Sequence, residues 1–184
     1  MKSQDLVILF KLVSLHARGA HAISYAQDDG LFSVRSLERC TGVSKSQVNL
    51  SLNRMYDVGL AKIGSDMGHP KVNKQALLEF VVYGIRYVFP AKLGELTRGI
   101  ATSVAAPVLK DLIKSSGDLI PVWSNPEGSN KGLAVEPLHM NVGQAIKGDK
   151  LMYDLLALTD AIRIEQVRTR HVAIDLLSDL LSDS

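Results

Sequence analysis

The chain has 184 residues, of which 46% are hydrophobic and 22% are charged, a composition typical of a globular protein with a core of its own. No run of about 18 apolar residues occurs, and the N-terminus lacks the order of a secretory signal, so we expect neither a membrane span nor export. The single cysteine, Cys40, excludes an intramolecular disulfide and a cysteine-rich zinc site and favours a cytoplasmic location.

The formal net charge of +2 is unevenly distributed along the chain. Residues 1–90 carry eleven Lys and Arg against seven Asp and Glu, whereas residues 91–184 carry ten against twelve. The first half therefore has the basic excess, which suits contact with a polyanion there.

The first predicted elements are two helices. Apolar residues at helical spacing predict a helix from Ser3 to Leu15, and a polar passage follows from His16 to Phe32. Ser33 can cap a second helix from Val34 to Cys40, after which Gly42 permits a sharp change of direction.

A third helix begins directly after this turn. Ser44 followed three residues later by Gln47 predicts a capping box, and Val43 with Val48 predicts the matching hydrophobic staple. An inward stripe of Val48, Leu52 and Met55 continues the helix, which we expect to end near Gly59.

A hairpin and a fourth helix complete the first half. The segments Leu60–Ile63 and Lys71–Val72 flank the turn-rich Gly64–Pro70 and predict two short paired strands. Asn73 is a cap for a fourth helix, from Lys74 to about Tyr87, and Pro90 closes that helix.

The second half has weaker signals. Ala91–Ala106 contains Gly94 and Gly99 and is predicted to be mostly loop with room for one short helix, and Val108–Lys114 can be helical. A second hairpin is predicted from Leu119–Trp123 and Gly132–Glu136, and two final helices from Asp149–Thr159 and Ala161–Leu181. Four acidic side chains of these helices are interpreted as exposed: Asp149, Asp154, Asp160 and Glu165.

The order helix, helix, turn, helix, hairpin carries a resemblance over residues 33–72. Its apolar, glycine and capping positions are Leu37, Gly42, Val43, Ser44, Ser46, Val48, Leu52, Arg54, Gly59 and Leu60. In these residues the chain resembles the winged helix-turn-helix domain of bacterial transcription regulators, with the MarR-type proteins as the nearest broad group. The stretches Val72–Phe80, Gly84–Pro90 and Thr97–Gly99 look like those of an uncharacterised subgroup of such regulators.

The resemblance implies a fold class and a division of labour. We predict an α+β, mainly helical chain, with an N-terminal winged helix-turn-helix followed by a β-hairpin and C-terminal helices. Residues 1–90 are then a DNA-binding domain, and residues 91–184 a dimerisation or effector region. The apolar stripe of the last helix is compatible with a dimer contact and equally with folding back onto the first half.

The polar face of the third helix is the predicted surface for double-stranded DNA. On a helical wheel Ser46, Asn49, Leu50, Asn53 and Asp57 lie opposite the apolar stripe, flanked by Gln47 and Arg54. Gln47, Asn49 and Asn53 can each bond an adenine edge, Leu50 can touch a thymine methyl group, and Arg54 can bind guanine or phosphate.

Phosphate contacts are expected at the helix start and in the hairpin. Ser44 and Lys45 lie at the positive end of the helix dipole, which suits a phosphate oxygen. In the hairpin, or wing, Lys62, His69 and Lys71 are the candidates for phosphate or minor-groove contact.

Two interpretations of the polar face remain open. A solvated helix on a structural domain would look similar, but it would more often carry Glu, Lys or Ala than the four Asn and Ser residues found between positions 46 and 53. We expect a homodimeric repressor. The alternative is a protein-interaction module, such as an antitoxin that binds a partner protein and regulates its own operon.

Enzymatic chemistry has no support in the sequence. The histidines, at positions 16, 21, 69, 139 and 171, are scattered rather than paired at ligand spacing, so no metal site is expected. No phosphate-binding loop or nucleophile elbow occurs, and Cys40 is interpreted as a small core residue. We expect neither an enzyme nor a cofactor.

Overall fold

The computed structural model of the chain describes residues 1–21, 30–65, 68–113 and 119–182. These residues form an α+β protein in which helices predominate, with a two-stranded and a three-stranded sheet. They divide into two units whose segments alternate along the chain. The first unit contains Met1–Leu77, residues 138–152 and the end from Leu181, and the second contains residues 78–137 and 153–180. The predicted functional boundary after residue 90 stays a prediction.

The first helix, α1 (Ser3–His21), lies in the core of the first unit. Every residue from Asp5 to Leu15 is buried, including the charged Asp5 and Lys11. The helix continues beyond its predicted end at Leu15, since Ala17 and Arg18 are good helix formers despite the polar character of this passage. The rest of that passage, residues 22–29, lies outside the described residues.

The helices α2 (Val34–Thr41) and α3 (Lys45–Asp57) begin where the sequence predicts. The Ser36 N–H donates to Ser33 Oγ at 3.2 Å, which confirms the cap of α2. Gly42 adopts a φ of 72°, a left-handed conformation that glycine accepts without strain, and this confirms the predicted turn.

The predicted capping box at the start of α3 is wrong in its bonds. Ser44 occupies the N-cap position, but its side chain accepts no backbone N–H. The carboxylate of Glu38 performs this function instead, because its Oε1 accepts the N–H of Lys45 at 3.1 Å. The side chain of Gln47 turns away from the cap and accepts a bond from Gln4.

The three helices share one apolar core. Both residues of the predicted staple, Val43 and Val48, are in it, and the half-buried Val72 packs against it from the hairpin. Its buried members are Ile8, Leu12, Leu15, Phe32, Leu37, Val43, Val48 and Leu52.

The predicted hairpin and fourth helix are confirmed. Strands β1 (Ala61–Ile63) and β2 (Pro70–Val72) pair antiparallel, and residues 66 and 67 of their turn lie outside the described part of the chain. Asn73 Oδ1 accepts the N–H of Ala76 at 3.2 Å. The helical run that follows comprises α4 (Lys74–Glu79), a π-helical turn at Phe80–Gly84 and α5 (Ile85–Val88).

The second unit contains a three-stranded sheet that the sequence predicts only in part. Strand β3 (Leu93–Ala101) occupies most of the segment predicted as loop, so that prediction is wrong. It pairs antiparallel with both β4 (Ile120–Ser124) and β5 (Asn130–Val135). Consequently β4 and β5 run parallel and also pair with each other, which closes the sheet. The second hairpin is therefore right in its strands and wrong in their antiparallel pairing.

Two glycines account for the error in β3 and for the tight sheet. A Cβ at Gly99 would lie 2.0 Å from the carbonyl oxygen of Trp123, and one at Gly132 would lie 2.0 Å from that of Ile120. Glycine is usual in loops, but here it permits the close approach of neighbouring strands. The predicted helix at Val108–Lys114 is also wrong, because residues 108–113 form turns; Lys114 is outside the described residues.

Three further helices follow: α6 (Val142–Ile146), α7 (Lys150–Ile164) and α8 (Val167–Ser182). The predicted break near Asp160 is wrong, since α7 continues through this residue. The interpretation of three acidic residues as exposed is also wrong, because Asp149, Asp154 and Asp160 are all buried. None of the helices in the described ranges is both long and apolar enough to cross a membrane.

Candidate nucleic-acid interface

Helix α3 has a fixed inner face and a polar outer face. Val48, Leu52 and Met55 are only 0%, 7% and 0% exposed, so the helix is held along its length. Ser46, Asn49, Leu50 and Asn53 are exposed on the other side. We call these four residues the outer row.

The two asparagines are the chemically most capable members of the outer row. Their side-chain amides have no hydrogen-bond partner among the described residues. Each amide offers both a donor and an acceptor, the combination that matches an adenine edge. Four positions apart on one helix, Asn49 and Asn53 lie on the same side about one turn from each other. Between them, Leu50 adds an apolar surface that is 48% exposed.

The start of α3 carries a positive side chain beside a carboxylate. Lys45 Nζ is 4.0 Å from Glu38 Oε2, and the lysine side chain remains 51% exposed. Ser44 Oγ and Ser46 Oγ are 3.4 Å apart. A phosphate at this helix end would meet one cation and two hydroxyl groups, with Glu38 as a competing anion.

Arg54 differs in environment from the outer row. Its Nη2 and Nε donate to Asp5 Oδ1 and Oδ2 at 2.6 and 3.0 Å, and Ser51 Oγ donates to Asp5 Oδ1 at 2.6 Å. Its side chain is 27% exposed. Arg54 therefore holds α3 against α1, and Ser51, one of the four Asn and Ser residues in the polar stretch, is buried.

The ionisation of Asp5 favours this attachment. Burial alone would raise the pKa of Asp5, but the bonds from Arg54, the Lys2 backbone N–H and Ser51 outweigh it and lower the pKa below its ordinary value. Gln47 adds a second link to α1, since its Oε1 accepts Gln4 Nε2 at 3.0 Å. The orientation of the outer row is thus fixed by polar bonds as well as by packing.

The hairpin contributes two lysines that face the same way. Lys62 and Lys71 are directly opposite in the antiparallel register. Like charges in such a pair repel, and an anion held between them would relieve that repulsion. Lys62 is exposed, whereas Lys71 is half-buried and makes a further interaction.

His69 is placed for packing more than for contact with a ligand. Its ring centroid is 4.8 Å from that of Phe32. The ring centroid of His16 is 4.4 Å from that of Phe32. Burial lowers the pKa of His16. A hydrogen bond with the Leu12 carbonyl opposes this shift, and the nearby charges of Lys71 and His69 lower the pKa further. The two histidine rings therefore pack against Phe32, and the lowered pKa of His16 favours its neutral form.

Three residues that position α3 were not predicted from the sequence. Asp5 is the sole acidic residue of α1, and an acidic side chain directly before the apolar run from Leu6 to Phe10 is a signal for a buried partner. Gln4 and Glu38 give no such signal, because each bonds a residue of another helix. Gln4 bonds Gln47, and Glu38 accepts the N–H of Lys45.

The described residues form no cluster of metal-binding side chains. Within residues 1–21, 30–65, 68–113 and 119–182, no group of three His, Cys, Asp or Glu side chains is placed to hold a metal ion. Comparisons with protein-family models, with curated proteins and with solved structures found no match.

Proposed function

We propose that the chain is a sequence-specific DNA-binding regulator in which α3 enters the major groove. In this proposal the first unit acts as a winged helix-turn-helix, with α2 and α3 as the two helices and β1–β2 as the wing. The observation that carries it is the pair of side-chain amides, Asn49 and Asn53, that bond no described residue and lie on the exposed face of a helix whose inner face is fixed.

Each group of residues has its own part in the proposal. Asn49 and Asn53 read base edges, and Leu50 contacts a thymine methyl group. Lys45, Ser44 and Ser46 hold phosphate at the helix start, and Lys62 and Lys71 hold phosphate from the wing. Arg54 and Gln47 keep α3 at the correct angle instead of reading bases.

The experiment begins with selection of bound duplexes from a random pool. Asn49→Ala should weaken binding to the selected duplex by about 1–3 kcal/mol while leaving random duplex unchanged. Lys62→Gln should weaken both duplexes alike and reduce the slope of binding against salt by about 1. The matched control is Arg35→Gln, which removes an exposed cation of α2 outside the proposed surface.

Two results would overturn the proposal. One is the absence of any salt-sensitive duplex binding at micromolar protein. The other is an equal loss of affinity for selected and random duplex in the Asn49→Ala variant, which would show that Asn49 does not contact base edges.

A regulator of this kind works as a dimer, since two half-sites are read by two copies. Two apolar residues of α8, Ala173 and Leu177, are buried within the chain, so a dimer contact needs another surface. Tyr83, Tyr87 and Val88 are 76%, 84% and 49% exposed on the run after α4, and we infer that they meet a second copy. Sedimentation should then show a dimer that Tyr83→Ser with Tyr87→Ser converts to a monomer.

The same exposed tyrosines favour a second candidate function, capture of a partner protein. Tyrosine is enriched at protein interfaces because it combines a large apolar ring with a polar tip. An antitoxin would use this surface for its toxin and α3 for its own operator. Sedimentation as a monomer at all concentrations, with duplex binding intact, would favour this candidate over the homodimer.

A further inference from the structure

A small cleft in the first unit collects positive charge. It has a volume of about 220 Å³ and is lined by α1, α2 and the end of α6. Among the described residues that line it, four side chains are cationic, Lys11, Arg18, Arg39 and Lys147, and one is a carboxylate, Asp149. Cys40 also lines it and is half-buried.

The single carboxylate is already shared by two of the cations. Lys11 Nζ lies 2.7 Å from Asp149 Oδ2, and Arg18 Nη2 lies 3.0 Å from Asp149 Oδ1. Lys11 is only 3% exposed and also donates to the Ala145 carbonyl at 2.6 Å. Lys11 and Asp149 therefore form a fixed, buried floor for the cleft.

The other two cations are uncompensated. Arg39 and Lys147 are exposed, and in the described part of the chain neither side chain has a hydrogen bond or an ion pair. Their backbones, however, are held in place. Gln144 Nε2 donates to the Arg39 carbonyl at 2.8 Å, and the Lys147 N–H donates to the Gln144 carbonyl at 3.3 Å. Two free cations are thus anchored at one small cleft.

We propose that this cleft binds a compact dianion, the head group of a phosphate monoester or of a dicarboxylate. Arg39 supplies a planar fork for two oxygens, and Lys147 supplies a second positive charge. Arg18 lies at the rim, and its Nη2 is already committed to Gly148 and Asp149. The volume is below the range of drug-sized sites, about 300–1,000 Å³, so the cleft admits a head group rather than a large ligand. The site stands whether or not α3 binds DNA.

The test is calorimetric titration of the 184-residue chain with inorganic phosphate and, separately, with malonate. Both titrations are made at constant ionic strength in chloride. The wild type should bind at least one of the two anions saturably at one site, and the comparison identifies the head group. Arg39→Gln and Lys147→Gln should each weaken binding by about tenfold or more, the loss of one charge-assisted contact. Arg35→Gln, on the same helix but outside the cleft, should bind like the wild type.

The variants are suited to this test because neither altered side chain has a partner among the residues that the structure describes. Their melting temperatures should match that of the wild type, which separates lost binding from lost folding. Saturable binding by neither anion would overturn the proposal. Unchanged binding in the double variant Arg39→Gln with Lys147→Gln would do the same.

Discussion

Arg54 shows how one residue can be misjudged from its position on a helix. It flanks the outer row of α3, yet its guanidinium is bonded to the buried Asp5. Arg54→Met should therefore lower the free energy of unfolding by about 3 kcal/mol, because it leaves a buried carboxylate without its partner. Asn53→Ala, on the exposed side one position earlier, should change it by less than about 0.5 kcal/mol. Urea denaturation of both variants measures the contrast, and equal stabilities would contradict it.

Asp149 makes stability depend on pH. Burial alone would raise the pKa of Asp149, but the bonds from Lys11, Ser14 and the Met152 N–H outweigh it and lower the pKa. A carboxyl with a depressed pKa stabilises the fold at pH values above its unfolded-state pKa, which is about 3.9. This stabilisation is lost as the pH falls through the folded-state pKa.

The variant Asp149→Asn isolates this effect. At neutral pH it should be less stable than the wild type, and the difference should narrow as the pH falls below the unfolded-state pKa of about 3.9 towards the depressed folded-state value. Chemical denaturation at a series of pH values measures the difference. A gap that stays constant across the series would show that Asp149 does not contribute through its charge.

The closed sheet of β3, β4 and β5 depends on glycine where neighbouring strands approach most closely, and Gly99 is one such position. A Cβ at Gly99 would lie 2.0 Å from the Trp123 carbonyl oxygen, whereas one at Gly94, on the same strand, would meet Ala134 at an ordinary 3.6 Å. Gly99→Ala should therefore cost at least about 3 kcal/mol, since backbone must shift, and Gly94→Ala should be nearly neutral. Thermal denaturation followed by circular dichroism measures the loss of stability in both variants. Similar losses would show that the close approach of β3 and β4 at Gly99 is unimportant.

The elements differ in how well the sequence predicts them, and the reason is the range of the interactions. The cap at Ser33, the turn at Gly42 and the hairpin are determined by residues within a few positions, and all three are correctly predicted. The pairing of β3 with two strands, and the cap that Glu38 supplies to α3, depend on contacts that no local pattern contains. For the candidate site, the burial of α3 along Val48 and Leu52 is predictable, but the bonding of Arg54 to Asp5 is not.

At the scale of the whole molecule, the alternation of segments between the two units has a testable consequence. The first unit includes α6, whose Asn141 Nδ2 and Gln144 Nε2 donate to the Gly42 and Arg39 carbonyls on either side of the turn before α3. A fragment of residues 1–90 lacks these bonds. It should therefore unfold at lower temperature than the full chain and without a sharp transition.

A complementary fragment supplies the control. Addition of residues 91–184 should restore the sharp transition, because the missing segment is contained in it. A fragment of residues 1–90 that melts cooperatively at the full-chain temperature would show that this region is an independent domain, as the sequence alone suggests.

The ion pair of Lys11 and Asp149 also has a consequence for synthesis on the ribosome. The two residues are 138 positions apart in the chain. At about 5–20 residues per second, roughly 7 to 28 s pass between their incorporation. During this interval α1 has been made while the anion that neutralises its lysine has not. The nascent chain therefore cannot complete its first unit before residues 138–152 have been made.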